Sequence, residues 1–283
     1  MTKSEISGHL GEWLADLEQA EKRDSTLSKY RGNVQRFIDW LPDEQEITKK
    51  MVMDYKEHLR SRLDSTKSVN TNISEVDEFL KWIGLEELCV KKIKIQISQS
   101  NEDVITLTDY KRLLRKAKER GDWQTYYIMQ ILAHTGIRVA ELKYFKARDG
   151  CFDDDFIKVF NKGKDRRIIV PKQLKHDLNK YVKALGIKNG VIFKSSVKPG
   201  QMINASTIWR HMKDIAGAAK VNKTKVHPHS FRHLFAQLYM ELPDSNLTEL
   251  RDLLGHSSLE TTGLYTQTSD MQKKAKLEKM QFV

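Results

Sequence analysis

Cysteine is nearly missing from this chain: two in 283 residues. Cys89 and Cys151 lie far apart and without metal-type spacing, which excludes a disulfide framework and a thiolate metal centre and fits a reducing compartment. Long apolar runs are missing too. Nowhere do about 18 apolar residues follow one another, and the opening Met1-Thr2-Lys3-Ser4-Glu5 has no apolar stretch behind it, so membrane spanning and secretion are not indicated and a cytoplasmic protein is expected. There is no Gly-rich phosphate loop, no carboxylate cluster suited to Mg²⁺, no internal repeat and no low-complexity tract. What the chain does have is positive charge. Lys and Arg number 49 against 38 Asp and Glu, a net charge of +11, and the pI is near 9.4. A polyanion is the natural partner for such a balance, although excess charge alone secures only solubility and non-specific attraction.

The length allows two domains with separate cores. Residues 1–90 read as four helices. Leu10, Trp13, Leu14 and Leu17 mark the first, and Leu27, Tyr30, Val34, Phe37, Ile38 and Leu41 the second, after the cap candidates Asp24 and Ser25 and before the stop at Pro42. Val52, Tyr55, Leu59 and Leu63 follow Thr48, and Val69, Ile73, Val76, Leu80 and Ile83 precede Gly84. Residues 91–104 lose the helical period and read as a linker. Residues 105–283 form a mixed domain. A helix is predicted from Thr108 to Arg120 and another behind Asp122 that ends at Thr135-Gly136. Phe156–Phe160 and Arg166–Val170 read as a β-hairpin joined by the five-residue turn Asn161–Asp165, with a basic tip. Helices follow Pro171 and span Ala205–Ala219, and His227-Pro228 opens another. The fold class is therefore mostly α with a small β-hairpin, α+β.

Several polar residues occupy positions where a purely structural role is less comfortable. Arg138 follows the glycine that ends an apolar helix, and Glu141 stands three positions on, so Glu141 can orient Arg138 while part of the guanidinium stays available; a surface Arg with a neighbouring partner is the plainer reading. In His227-Pro228-His229-Ser230-Phe231-Arg232-His233, His229 and Arg232 share a helical face and make a grip for phosphate. His229 and His233 at i, i+4 also match a metal pair, but no Glu lies between them and no Cys cluster accompanies them, so no metal is assigned; His233 is equally a satisfied core histidine. Lys162 on its own is one of several turn lysines. Ser257 with Glu260 three residues later forms a capping box, which places Gly255 and His256 in a turn and Tyr265 on the helix that follows. Two Arg, a Lys, two His and a Tyr suit phosphoryl transfer without metal or other cofactor. Arg138 and Arg232 would neutralise the non-bridging oxygens, His229 and His256 add hydrogen bonds, Lys162 protonates a leaving oxygen and Tyr265 attacks. Tyrosine ordinarily titrates near 10, so its attack needs such positive surroundings.

Thr135-Gly136-Ile137-Arg138-Val139-Ala140-Glu141-Leu142, the Asn161–Pro171 segment, His229-Ser230-Phe231-Arg232-His233 and Leu253–Tyr265 together resemble the motifs of the tyrosine recombinase, or phage integrase, family, in order and across the whole catalytic half. Asn161 stands where that family often has Gly, and Phe231 where Leu is common. The first departure leaves open whether Lys162 or Lys164 is the catalytic lysine; alignment favours Lys162.

The resemblance implies a helical N-terminal DNA-binding domain, a catalytic domain ending in a tail helix over Met271–Val283, and a clamp around double-stranded DNA at a specific site. It further implies four protomers on two duplexes, a 3′-phosphotyrosyl intermediate and strand exchange through a Holliday junction, with no ATP. Lys29, Arg31 and Lys67, with Lys164 and Arg166 of the hairpin, are then candidates for DNA contact. The two-domain length resembles Xer-type members, and mobile-element integrases of similar length share it. A type IB topoisomerase and a DNA-binding protein without catalysis are the rival readings.

Overall fold

The computed structural model describes residues 1–94, 104–161, 164–198 and 200–255, with backbone alone at 161, 164 and 165. By its internal contacts the chain divides into two units, Met1–Ser98 and Gln99–Val283. Among the described residues, no helix is long and apolar enough to cross a membrane.

In the first unit, four apolar stripes become four helices, α1 (Lys3–Gln19), α2 (Asp24–Trp40), α3 (Lys49–Arg62) and α4 (Thr66–Trp82). Leu10, Trp13, Val34, Phe37, Val52, Tyr55, Leu59, Val69, Ile73 and Leu80 meet in one core, as helices with apolar residues at three- and four-residue steps must. Trp13 lies at its middle, stacked on Tyr30 at 5.6 Å between ring centroids and tilted against Phe79 at 5.1 Å. The Thr48 hydroxyl accepts from the Met51 amide at 3.4 Å and caps α3 as expected. At α2 the expectation shifts. Arg23, not Asp24 or Ser25, holds the cap position and contributes no side-chain cap; Asp24 is instead the first helical residue, where its carboxylate faces the positive end of the helix dipole. Pro42 follows the last turn of α2, as read from sequence.

The 91–104 segment does not begin as a free linker. Asn70 takes hold of Ile93 from both sides, donating to its carbonyl at 2.8 Å and accepting from its amide at 2.9 Å, and Lys56 donates to the Lys91 carbonyl at 3.3 Å. Residues 91–94 therefore belong to the first unit, and 95–103 lie outside the described residues. A short 3-10 helix, Glu86–Leu88, precedes this segment; three residues are too few to show a period in sequence.

The second unit opens with α5 (Leu107–Glu119) and α6 (Trp123–Thr135). Thr106 and Asp109 form a reciprocal capping box that starts α5 one residue earlier than predicted, and Asp122 caps α6 through the Thr125 amide at 3.0 Å. Buried residues on α6 (Ile128, Met129, Ile131, Leu132 and Ala133) point in several directions, because the helix lies among α5, α7 (Lys172–Ala184), α8 (Ala205–Ala218) and α9 (Pro228–Met240). Strands β2 (Phe156–Asn161) and β3 (Lys164–Ile169) form the hairpin. Its register pairs Val159 with Arg166, Phe160 with Asp165 and Asn161 with Lys164. The paired strands thus take in three of the five residues assigned to the turn. β1 (Lys146–Ala147) pairs antiparallel with β4 (Gly190–Val191); two residues per strand leave no alternation to read. α10 (Leu247–Leu254) closes the described part. The mostly helical α+β class is borne out.

Replacing Trp13 with Ala removes the buried ring by which α1 packs on Tyr30 of α2 and Phe79 of α4. It should cost about 3–5 kcal/mol, read as a lower midpoint in urea unfolding followed by far-UV circular dichroism.

Candidate active site

Helix α6 stops at Gly136, whose φ of +59° puts it in the left-handed region that favours glycine. A Cβ there would stand 2.5 Å from Phe235 and 2.8 Å from Leu254, so the turn is pressed against α9 and α10. The chain leaves it extended at Arg138 and enters a six-residue 3-10 helix, Val139–Tyr144. Arg138 is the residue before this helix, not a member of the same helical face as Glu141. The partnership survives in another form: the Glu141 carboxylate accepts the Arg138 amide at 2.7 Å and lies 3.8 Å from its guanidinium.

α9 begins with Pro228 in its first turn after the extended His227, as predicted. The Arg232 side chain is 1% exposed, and a buried guanidinium is tolerable only with acceptors around it. Two are backbone carbonyls: it donates to Gly136 O at 2.6 Å and to Leu254 O at 2.7 Å. α10 ends at Gly255, again left-handed with φ +63°. Here the site closes on itself. Arg166 donates to the carbonyl of Leu253, Arg232 to that of Leu254, and Arg138 to that of Gly255 at 3.1 Å. Three guanidiniums from three elements hold three consecutive carbonyls at a helix C-terminus, where the outward carbonyls favour cations.

Arg166 corrects the sequence reading. Expected among the basic hairpin side chains facing DNA, it lies instead at an inward position of β3, alternating with the buried Ile168 and Val170, with its side chain 12% exposed and ion-paired to Glu141. Burial lowers its pKa, opposed by Glu141 and reinforced by Arg138. The signal was present in sequence: an Arg at a period-2 position whose neighbours on the same face are apolar. Lys29, the first of the DNA-contact candidates, makes an ion pair at 2.8 Å with the buried Glu75. Arg31 and Lys67 are exposed.

Around the arginine cluster the histidines are held neutral. His229 has its pKa lowered first by burial of part of the ring, then by Arg232 and Arg138. Burial, followed by His229, His227 and Arg232, pushes His233 down to about 4. Three cations with one carboxylate, beside neutral imidazoles able to donate or accept, form an anion site suited to phosphate. Among the described residues no group of three His, Cys, Asp or Glu is arranged to hold a metal ion. Lys162, His256 and Tyr265 lie outside the described residues, as do the Ser257–Glu260 capping box, the Met271–Val283 tail and the Lys164 side chain.

Compared with known proteins, residues 103–272 match the Phage integrase family and residues 10–87 match the phage integrase N-terminal SAM-like domain. The first match spans more than half of the chain: it belongs to the phage integrase family. Its relatives include tyrosine recombinase XerA of Pyrococcus furiosus, 27% identical with 95% of this chain and 93% of that protein covered. Another is tyrosine recombinase XerD of Oceanobacillus iheyensis, 24% identical over 91% of each. Among solved structures, the XerA recombinase is 26% identical with a TM-score of 0.54, covering 98% of this chain and 99% of that one. The lambda integrase tetramer bound to a Holliday junction is 19% identical with a TM-score of 0.74, covering 94% and 79%, and so shares the fold.

Two predictions follow from the geometry. Gly136→Ala combines left-handed strain with collision against Phe235 and should destabilise by about 2 kcal/mol or more, seen as a lower thermal midpoint. A folded-state pKa near 4 for His233 against 6.5 in the unfolded chain means that the unfolded state binds the proton first as pH falls. The stability contributed by neutral His233 is complete above pH 6.5 and lost between 6.5 and 4. His233→Gln should flatten that part of the melting-temperature profile relative to wild type; an unchanged profile contradicts the assignment.

Proposed function

We propose that this chain is a site-specific DNA recombinase that cuts and rejoins strands through a 3′-phosphotyrosyl intermediate. The observation that carries the reading is the convergence of Arg138 and Arg232, from separate elements, on the last carbonyls of α10, from which the chain runs directly into His256 and Tyr265. In this reading Arg138 and Arg232 grip the two non-bridging oxygens of the scissile phosphate, with neutral His229 alongside to pass or accept a proton at the attacking phenol. The Tyr265 oxygen bonds to phosphorus, the bond to the 5′ oxygen breaks, and Lys162 supplies the proton to that leaving oxygen. His256 contacts the phosphate. Glu141 orients Arg138 by accepting its amide, and His233 supports Arg232 from the next position on α9. The phosphotyrosyl bond conserves the energy of the phosphodiester, so a 5′ hydroxyl from another duplex reverses the chemistry without ATP.

Double-stranded DNA with a specific site is the substrate, and four copies on two duplexes exchange strands through a Holliday junction; lambda integrase has been solved as a tetramer bound to such a junction. Residues 1–90 serve as the DNA-binding domain, with Arg31 and Lys67 on its open surface, and 105–283 as the catalytic domain. A cytoplasmic location is consistent with this reading. Xer-like resolution and mobile-element integration or excision both use this step.

The test begins with duplexes selected by the protein from a random-sequence library, nicked near the enriched site and incubated with it. A covalent adduct on a denaturing gel, absent from Tyr265→Phe, supports the reading; no adduct from wild type on a bound site contradicts it, and relaxation of supercoils without junction intermediates would favour a topoisomerase. Arg138→Lys and Arg232→Lys each remove a fork-shaped donor and should slow adduct formation about 10²- to 10³-fold. DNA affinity should also fall steeply between 50 and 200 mM salt, by about 10³-fold or more if six or more phosphates are contacted, measured by fluorescence anisotropy.

A further inference from the structure

Arg166 has no role in the chemistry just described, yet it touches both Glu141, which holds Arg138, and the end of α10. It projects inward from β3 and donates to Glu141 and to the Leu253 carbonyl. Its aliphatic stem and guanidinium lie flat against Gly255, where a Cβ would come within 2.7 Å of Cδ, 2.9 Å of Nε and 3.2 Å of Cζ. Glu141 in turn accepts the Arg138 amide through the same oxygen that receives Arg166. Two buried polar atoms of this pair, Glu141 Oε1 and Arg166 Nε, have no hydrogen-bond partner, so the arrangement is not optimised for stability alone. A buried Arg–Glu pair is poor support for a fold by comparison with apolar residues of similar size. The retained pair sits where Arg138, the strand leading from Lys162 and the turn leading to His256 and Tyr265 come together.

We propose that Arg166 is a positioning residue for strand cleavage. It fixes the end of α10 and the Arg138 turn against the hairpin, so that the phosphate grip and the segment bearing the nucleophile keep one mutual geometry. It does so without touching DNA, and the proposal rests on the recombinase reading above. Arg166 differs from the phosphate-gripping arginines in what its loss should change. A group that binds DNA alters affinity and its salt dependence; a positioning group leaves both in place and slows the step that needs alignment, for which small misplacements cost large factors.

The experiment uses the full chain with Arg166→Lys, Arg166→Met and the double variant Glu141→Gln/Arg166→Met. Melting temperature, affinity for the selected duplex at 100 and 200 mM salt, and the single-turnover rate of adduct formation at saturating DNA are measured for each. The double variant removes the unpaired buried carboxylate, so it keeps the test alive if Arg166→Met folds poorly. Expected are DNA affinity and salt dependence within about 3-fold of wild type, an adduct rate lowered about 100-fold or more in Arg166→Met and in the double variant, and partial recovery in Arg166→Lys, which reaches one acceptor in place of two. A wild-type adduct rate in the folded Met or double variant overturns the proposal and leaves the recombinase reading standing. So does a loss confined to affinity with a shallower salt dependence, which would make Arg166 a DNA contact. Failure of wild type to form any adduct overturns both.

Discussion

The end of α10 is the constraint on which the second unit depends. A helix C-terminus presents carbonyls that lack partners within the helix, and here Leu253, Leu254 and Gly255 give theirs to Arg166, Arg232 and Arg138. Each arginine comes from a different place: the hairpin, α9, and the turn after α6. Those three places come together only because α6 is apolar on several sides and lies at the centre of the core, with Gly136 allowing its end to lie against Phe235 and Leu254. The same contacts therefore satisfy a helix end, bury the Arg232 guanidinium and most of Arg166 while leaving Arg138 partly exposed, and concentrate positive charge at one point. A core that served stability alone would not gather like charges in this way, since they raise one another's free energy and depress the neighbouring imidazoles.

Much of the fold was legible in the sequence because most elements obey local rules. The four apolar stripes of the first unit, the caps at Thr48 and Asp122, the stop at Pro42 and the start at Pro228 are decided within a few residues. What was not legible depends on distant partners or on very short elements. Residues 91–94 look like linker until Asn70 is known to bind Ile93 across 23 positions. The β1–β4 pair offers two residues each. The five residues 161–165, with a Gly among them, read as turn between two strand-like runs, while the ladder carries Asn161, Lys164 and Asp165 as strand.

The candidate site was legible as a list and not as a geometry. Arg138, Glu141, His229 and Arg232 were recognisable by residue type and spacing, and the structure brings Arg138 and Arg232 to adjacent carbonyls. The i, i+3 spacing anticipates the Arg138–Glu141 ion pair, but not that Glu141 also accepts the Arg138 backbone amide at the mouth of a 3-10 helix and shares its carboxylate with Arg166. Arg166 was placed with the outward basic residues although its register sets it inward, beside Ile168 and Val170. Charge counting treats every Arg alike; burial and alternation separate those that meet solvent from those that hold the site together.

The central claim is that this arginine cluster presents a phosphate to Tyr265. Its most direct test is to digest the protein–DNA adduct with protease and nuclease and locate the residual nucleotide by tandem mass spectrometry. The account predicts a nucleotide joined through its 3′ phosphate to Tyr265. Attachment to any other residue, or through a 5′ phosphate, would contradict it.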